Sequence, residues 1–331
     1  MKKLFLLILV VLLVVGLMAG CGKAKPEKVK TGLAVITGVG KSTNAGAEPG
    51  QAQIDSTVVA VTVDSKGKIV KCVIDAVQSR IRFDASGKIL TPLTTEFPTK
   101  NELGEAYGMK RASGIGKEWN EQAAALAKYV EGKTVNEVKN IAVDASKHPT
   151  GSDLKASVTM AIGDYIAAIE KAVARAQDLG ATAADQLRLG VVTTMAKSTN
   201  AGENLGLAEA YSTYVAITQD AKGTITSCVI DASQGRVNFN SSGQITTDLS
   251  APIKSKNELG EAYGMKRVSG IGKEWNEQAA AFAKYVTGKT PAQVAAIAVD
   301  ASQHPVDKDL LATVTVAIGD FKAALAKAAG Q

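Results

Sequence analysis

Hydrophobic and polar positions along this chain follow one pattern twice, predicting strands first and helices after. Residues 33–37 form a short apolar strand. Residues 57–63 alternate with period two, Ser65-Lys66-Gly67 turns the chain, and residues 68–75 return as the partner of a hairpin. A shorter, more polar hairpin is expected from residues 80–83 and 89–93 around Asp84-Ala85-Ser86-Gly87. From Glu118 the period becomes helical, with Trp119, Ala123, Leu126, Ala127 and Val130 on one face and Gly132 closing the helix. Thr134 and Glu137 spell a capping box for the next helix, and residues 141–144 read as a strand. A last helix is expected from about residue 159 to 179, stopped by Gly180.

The same order returns 156 residues later, with strands at 214–218 and 224–231, Pro291 at a first helical position, a strand at 297–300 and a final helix at 315–329. The chain is therefore a tandem duplication. Divergence between the copies is uneven. Residues 100–130 and 256–286 differ at two of 31 positions, Ala112 against Val268 and Leu126 against Phe282, whereas residues 76–99 and 232–255 agree at nine of 24. The fold class expected is α+β: two tandem homologous domains, each a small, mostly antiparallel sheet packed by helices. Repeat 1 spans residues 32–179, a linker 180–187, and repeat 2 residues 188–331.

Residues 1–20 carry a basic start, Met1-Lys2-Lys3, and an apolar run at 4–17, the pattern of a signal peptide. Ala19-Gly20-Cys21 resembles the bacterial lipobox, which implies acylation of Cys21, against a plain secretory signal with an incidental cysteine. Residues 21–31 then serve as the lipidated cysteine and a polar spacer, and the body is expected on the outer face of a membrane. The formal charge is +6, with much of the excess between Lys23 and Lys30. Elsewhere the signs alternate and no basic face is interleaved with aromatics, so nucleic acid is not an expected partner. Cys72 and Cys228 are one position in two copies, read as buried strand cysteines; a disulfide between them requires the duplicated strands to pack across a pseudo-twofold axis. His148 and His304 are the only histidines, one per repeat, so no metal site is expected. No serine or cysteine has a convincing base nearby in sequence, which argues against a hydrolase.

The repeated block centres on a glycine turn that feeds a helix. Gly114 and Gly116, with Lys110, Arg111 and Lys117, offer backbone N–H groups and cations to a phosphate; the copies are Gly270, Gly272, Lys266, Arg267 and Lys273. The turn is not a Walker loop, since Arg111 stands where its first glycine belongs, and a plain turn entering a helix is the alternative. Trp119 and Trp275 offer rings to a flat ligand or fill the core, and Tyr107 and Tyr263 stand near them.

Downstream, DLKASVTMAIGDY at 153–165 and DLLATVTVAIGDF at 309–321 each place an aspartate six residues before a threonine. Hairpin, polar middle, amphipathic helix, strand and this Asp-to-Thr spacing together resemble the FMN-binding-domain lipoproteins, the flavin-carrying and pheromone-precursor surface lipoproteins of bacteria. The resemblance implies FMN held by ester linkage of its phosphate to Thr159 and Thr315, with Asp153 and Asp309 as the motif acids, a flavin transferase as modifying partner and a membrane redox partner. The chain departs from the motif at Ala156 and Ala312, at Ser157 and Thr313 where glycine belongs, and at Val158 and Val314. Thr159 and Thr315 equally suit the N-cap of the final helix. The expected function is a non-catalytic, membrane-anchored extracytoplasmic flavin binder or electron carrier; the alternative is a surface lipoprotein of the same fold that binds another ligand or partner.

Overall fold

A computed structural model describes residues 26–330; the expected signal peptide and Cys21 lie outside them. Each repeat opens with three antiparallel strands joined as a meander. Repeat 1 has β1 (Lys30–Gly38), β2 (Gly50–Val63) and β3 (Ile69–Phe83); repeat 2 has β4 (Gln186–Thr194), β5 (Gly206–Gln219) and β6 (Ile225–Phe239). The β2–β3 turn is set by Asp64, whose carboxylate accepts the N–H groups of Lys66 and Lys68, with Gly67 at φ 77. Pairing runs from Val63↔Ile69 out to Gly50↔Phe83. The expected hairpin is therefore only the turn-proximal half of a longer one. The shorter second hairpin reduces to a single bridge, Phe83↔Ile89, because β3 itself continues to Phe83. Residues 141–144 and 297–300 are likewise not sheet strands; they make the isolated bridges Val143↔Pro149 and Val299↔Pro305.

Helices cover the outer face of each sheet, giving the α+β architecture expected. In repeat 1 they are α1 (Lys100–Leu103), α2 (Trp119–Val130), α3 (Val135–Lys139), α4 (Ser152–Lys155) and α5 (Gly163–Ala174). In repeat 2 they are α6 (Lys256–Leu259), α7 (Trp275–Val286), α8 (Pro291–Ala295), α9 (Lys308–Leu311) and α10 (Gly319–Gly330). The stripe Trp119, Ala123, Leu126, Ala127 and Val130 is buried as its spacing predicts. The last helix of repeat 1 is shorter than expected at both ends. It stops at Ala174 because Gln177 exchanges two backbone hydrogen bonds with Thr31 and draws the chain alongside β1. Gly32 and Gly190 allow α5 and α10 to lie directly on the sheets: a Cβ at either would collide with the carbonyl of Ala172 or Ala324. Among the described residues no helix is long and apolar enough to cross a membrane.

The inner faces of the two sheets pack against each other. Leu33, Val35, Val58 and Ala60 meet Leu189, Val191, Tyr214 and Ala216 in one core, and Phe83 stacks on Phe239 at 4.2 Å in another. Strands β2 and β5 are thus covered on both faces, which is why Val58 to Val63 are all buried. The KSTNAG loops cross over reciprocally. Ala45 donates to the carbonyl of Gly243 and Ala201 to that of Gly87, while Asn44 and Asn200 accept from Ile245 and Ile89. Each repeat therefore closes the open end of the other's hairpin. Cys72 and Cys228 belong to the two outer, helix-side cores, on opposite sides of this sandwich, and both thiols are free. Burial pushes the Cys228 thiol up to about 12, so neither disulfide pairing nor thiolate chemistry is built into these positions.

Candidate functional site

The glycine turn does not hold an open helix start. Glu118, 4 % exposed, folds back over it, and its carboxylate accepts the N–H groups of Met109 and Lys110 at 2.8 and 3.0 Å. Glu121 takes the N–H of Glu118 at 2.7 Å. Glu274 and Glu277 repeat the arrangement on Met265, Lys266 and the N–H of Glu274. Two carboxylates already stand where a phosphate was expected, so an added anion meets charge of its own sign. Lys110, Arg111, Lys266 and Arg267 are exposed, Lys117 and Lys273 half-buried, and Gly116 and Gly272 take the positive φ values, 63 and 61, that the turn requires.

A buried glutamine ties that turn to the motif threonines. Gln122 Nε2 donates to Ser113 Oγ and the Lys117 carbonyl, while its Oε1 accepts from the N–H groups of Thr159 and Met160 and from Thr159 Oγ1. Gln278 does the same for Ser269, Lys273, Thr315 and Val316. Thr159 and Thr315 are thus neither N-caps, since α5 and α10 begin four residues later, nor free hydroxyls. Asp153 and Asp309 are exposed on α4 and α9, and among the described residues neither carboxylate bonds its threonine. The structure does not assemble the Asp–Thr pair expected for a covalent flavin ester.

Three of the expected site residues do meet in a cavity. Gly270, Trp275 and Thr315 line a space of about 670 Å³ in repeat 2, whose other walls include Tyr211, Tyr263, Met265 and Lys256. Lys256, 4 % exposed, is its centre: the amine lies 4.6, 4.5 and 4.7 Å from the ring centroids of Tyr211, Tyr263 and Trp275 and donates to Tyr211 Oη at 2.8 Å. Burial, then the neighbouring Lys197, brings the lysine down to about 7. The buried carboxylate of Glu209 lines the same cavity and accepts from Arg236 Nε, and burial raises the carboxyl of Asp320. Two lysines and three aromatic rings converge here with two acids, Glu209 answered by Arg236 and Asp320 with its carboxyl raised by burial, so rings and uncompensated positive charge suit a flat anion.

Lys256 is positioned from below by Asp231. Its Oδ1 accepts the N–H groups of Ala232 and Asn257, and Asn257 returns a bond to the Ile230 carbonyl, which docks α6 on β6. Asp75 does this for α1. Burial holds both carboxyls up at about 6, above the unfolded value near 3.8. The folded state therefore binds more protons between those values, so this contribution to stability is complete below pH 4 and is lost as pH rises to 6. The D75N/D231N variant is expected to flatten that limb, a change of about 1–2 kcal/mol in urea unfolding between pH 4 and 6. An unchanged pH profile would show that the two carboxyls are solvated.

Repeat 1 presents different chemistry at the same place. Asp55 stands where Tyr211 does, bound to Lys41 at 2.9 Å and to the amides of Gln53 and Gln78. Trp119 is sealed in the core, its Nε1 donating to Tyr165 Oη at 3.0 Å. What opens there is a groove of about 530 Å³ beside Lys100, Tyr107 and Met109, which neither Trp119 nor Thr159 lines. A larger cavity, about 820 Å³, lies at the repeat boundary near Arg175, Cys228 and Asn276; it has no aromatic wall and gathers none of the expected residues.

No protein-family model matches the chain, and no solved structure matches it significantly. A protein of Desulfitobacterium hafniense named chlorophenol reductase is 36 % identical over 100 residues, covering 26 % of this chain and 30 % of that protein. The chain thus spans less than a third of that relative's length. That relative is named as a reductase, an enzyme, and this corrects the expectation that the chain is non-catalytic.

Proposed function

We propose that this protein serves a reductive enzyme activity, with a single site in repeat 2 for a flat, anionic redox ligand of the flavin phosphate class. The observation that carries the reading is Lys256, buried among three aromatic rings in a cavity of cofactor size. The redox name of the partial relative agrees with it. The residues fit FMN held without a covalent bond: Tyr211, Tyr263 and Trp275 as walls for the ring system, and Lys197 and Lys256 as the cations for its charge. A bound flavin would supply the electron transfer. The chain's own part is to exclude water with its rings and to hold a proton at Lys256 Nζ, whose affinity for it lies near neutral pH. In the same reading Cys21 tethers the body to the outer face of a membrane, within reach of a membrane redox partner.

Titration of the mature protein with FMN, followed by visible absorption and tryptophan fluorescence, is expected to saturate at one flavin per chain. One site rather than two follows from Asp55, whose carboxylate and hydrogen-bonded partners occupy the place of the Tyr211 ring in repeat 1. Absence of saturable binding overturns the flavin reading, and two equivalent sites overturn the assignment to repeat 2.

A further inference from the structure

The two tryptophans occupy one position in two repeats and differ at the indole N–H. Trp119 Nε1 donates to the Tyr165 hydroxyl at 3.0 Å. The residue matching Tyr165 is Phe321, which meets Trp275 edge-on with ring centroids 5.7 Å apart and has no hydroxyl to offer. Among the described residues nothing accepts from Trp275 Nε1, although the residue is only 3 % exposed. Indole N–H groups at such depth ordinarily find a partner.

Its direction follows from repeat 1. The Tyr165 hydroxyl that receives the Trp119 N–H lies within electrostatic reach of Tyr107, Asp164 and Asp55. The matching residues in repeat 2 are Tyr263, Asp320 and Tyr211, all of which line the cavity, as does Trp275 itself. Trp275 Nε1 has no partner among the described residues and is not among the side-chain atoms sealed from solvent, so its N–H opens onto the cavity that its ring lines. Loss of one hydroxyl, from Tyr165 to Phe321, separates an internally satisfied donor from an available one.

We propose that Trp275 Nε1–H is the specificity-determining donor of the repeat 2 site, taking a carbonyl or ring-nitrogen acceptor of the bound heterocycle, and that Tyr165 closes repeat 1 to the same ligand by occupying the equivalent donor. This rests on the flavin reading of the cavity, the acceptor being one on the isoalloxazine edge. It adds a criterion of ligand choice that aromatic walls and cations do not supply: a flat anion lacking an acceptor at that edge binds less well.

The chain has two tryptophans, so the indole region of a ¹H–¹⁵N spectrum carries one signal per repeat. In the free protein the Trp275 indole proton is expected to exchange with D₂O faster than that of Trp119. Saturation with FMN should shift the Trp275 signal and leave Trp119 in place. F321Y, which restores the side chain that repeat 1 tolerates at this position, should weaken FMN binding about three- to tenfold, the worth of one hydrogen bond. Equal protection of the two indoles in the free protein overturns the proposal without any ligand. So does FMN binding that leaves Trp275 unmoved, or F321Y binding as tightly as the parent. If visible absorption shows no FMN binding at all, the flavin reading and this assignment fall together.

Discussion

Replacing Gln278 with leucine is expected to cost about 3–5 kcal/mol of stability, a large effect for a polar side chain on a helix. Gln278 is fully buried and ties α7 to two other segments: the glycine turn through Ser269 Oγ and the Lys273 carbonyl, and the chain before α10 through the N–H groups of Thr315 and Val316. Leucine fills a similar volume but leaves two backbone donors and a carbonyl facing an apolar neighbour, each costing about 1–3 kcal/mol when buried without a partner. Q122L should lose a similar amount, since the geometry in repeat 1 is the same. The two variants are expected to part over ligand. Q278L releases Thr315, Val316 and Ser269 from the cavity wall and should abolish FMN binding, while folded Q122L should retain it. Urea unfolding with an unchanged m-value reads the first part. A loss under about 1 kcal/mol in Q278L would mean that water replaces the glutamine and that the turn is not held this way.

That network also explains why residues 100–130 and 256–286 are nearly identical. The polar residues of the block read as surface on sequence grounds, and their retention suggests a ligand. Glu118, Glu121, Gln122 and Ser113 instead satisfy one another and the backbone around the turn, so a change at one leaves a buried partner at another. The side chains of Lys110 and Arg111 are exposed, and that of Lys110 reaches only Glu105, at 3.9 Å; nothing in the fold accounts for the retention of these two side chains.

The α2 stripe was legible because five apolar residues repeat at helical spacing, and the hairpins because turn residues separate strand-forming runs. Sheet-on-sheet packing was not, since a run such as Val58 to Val63 shows only that both faces are buried, not what covers them. Phe83 and Phe239, which meet across the sandwich, stand at strand ends with no local signal of each other. The site was half legible. Trp275, Thr315 and Gly270 came from motifs, but Lys256 opens an ordinary capped turn, KNEL, and is identical in sequence to Lys100. What distinguishes the two lysines lies elsewhere in the chain, at Tyr211 against Asp55 and Phe321 against Tyr165. Those differences were visible as divergence between the copies, yet only the fold shows that they surround one amine.

Raising the pH from 7 to 10 is expected to stabilise the protein by on the order of 2–4 kcal/mol through Lys256, and K256M should remove that slope. The folded-state value is about 7 against an ordinary 10.5, lowered by burial and then by Lys197. Between those values the unfolded chain keeps a proton that the folded chain has released, so deprotonation favours folding. The stabilisation is complete above pH 10.5 and is lost as pH falls through 7, below which both states are protonated. Three rings within 4.7 Å favour the ammonium form and offset part of the burial cost, which is why the expected change is smaller than the full shift implies. An anion in the cavity reverses the balance: it restores the charge on Lys256, so FMN binding should take up a proton at pH 8 and weaken as pH rises further. K256M, stable but uncharged, should bind FMN more than about tenfold less tightly. K100M, its counterpart in repeat 1, should leave affinity unchanged. Calorimetric titration in buffers of different ionisation enthalpy measures the proton directly. If K256M binds FMN as the parent does and keeps the parent's pH slope, the charge that draws an anion into repeat 2 lies elsewhere.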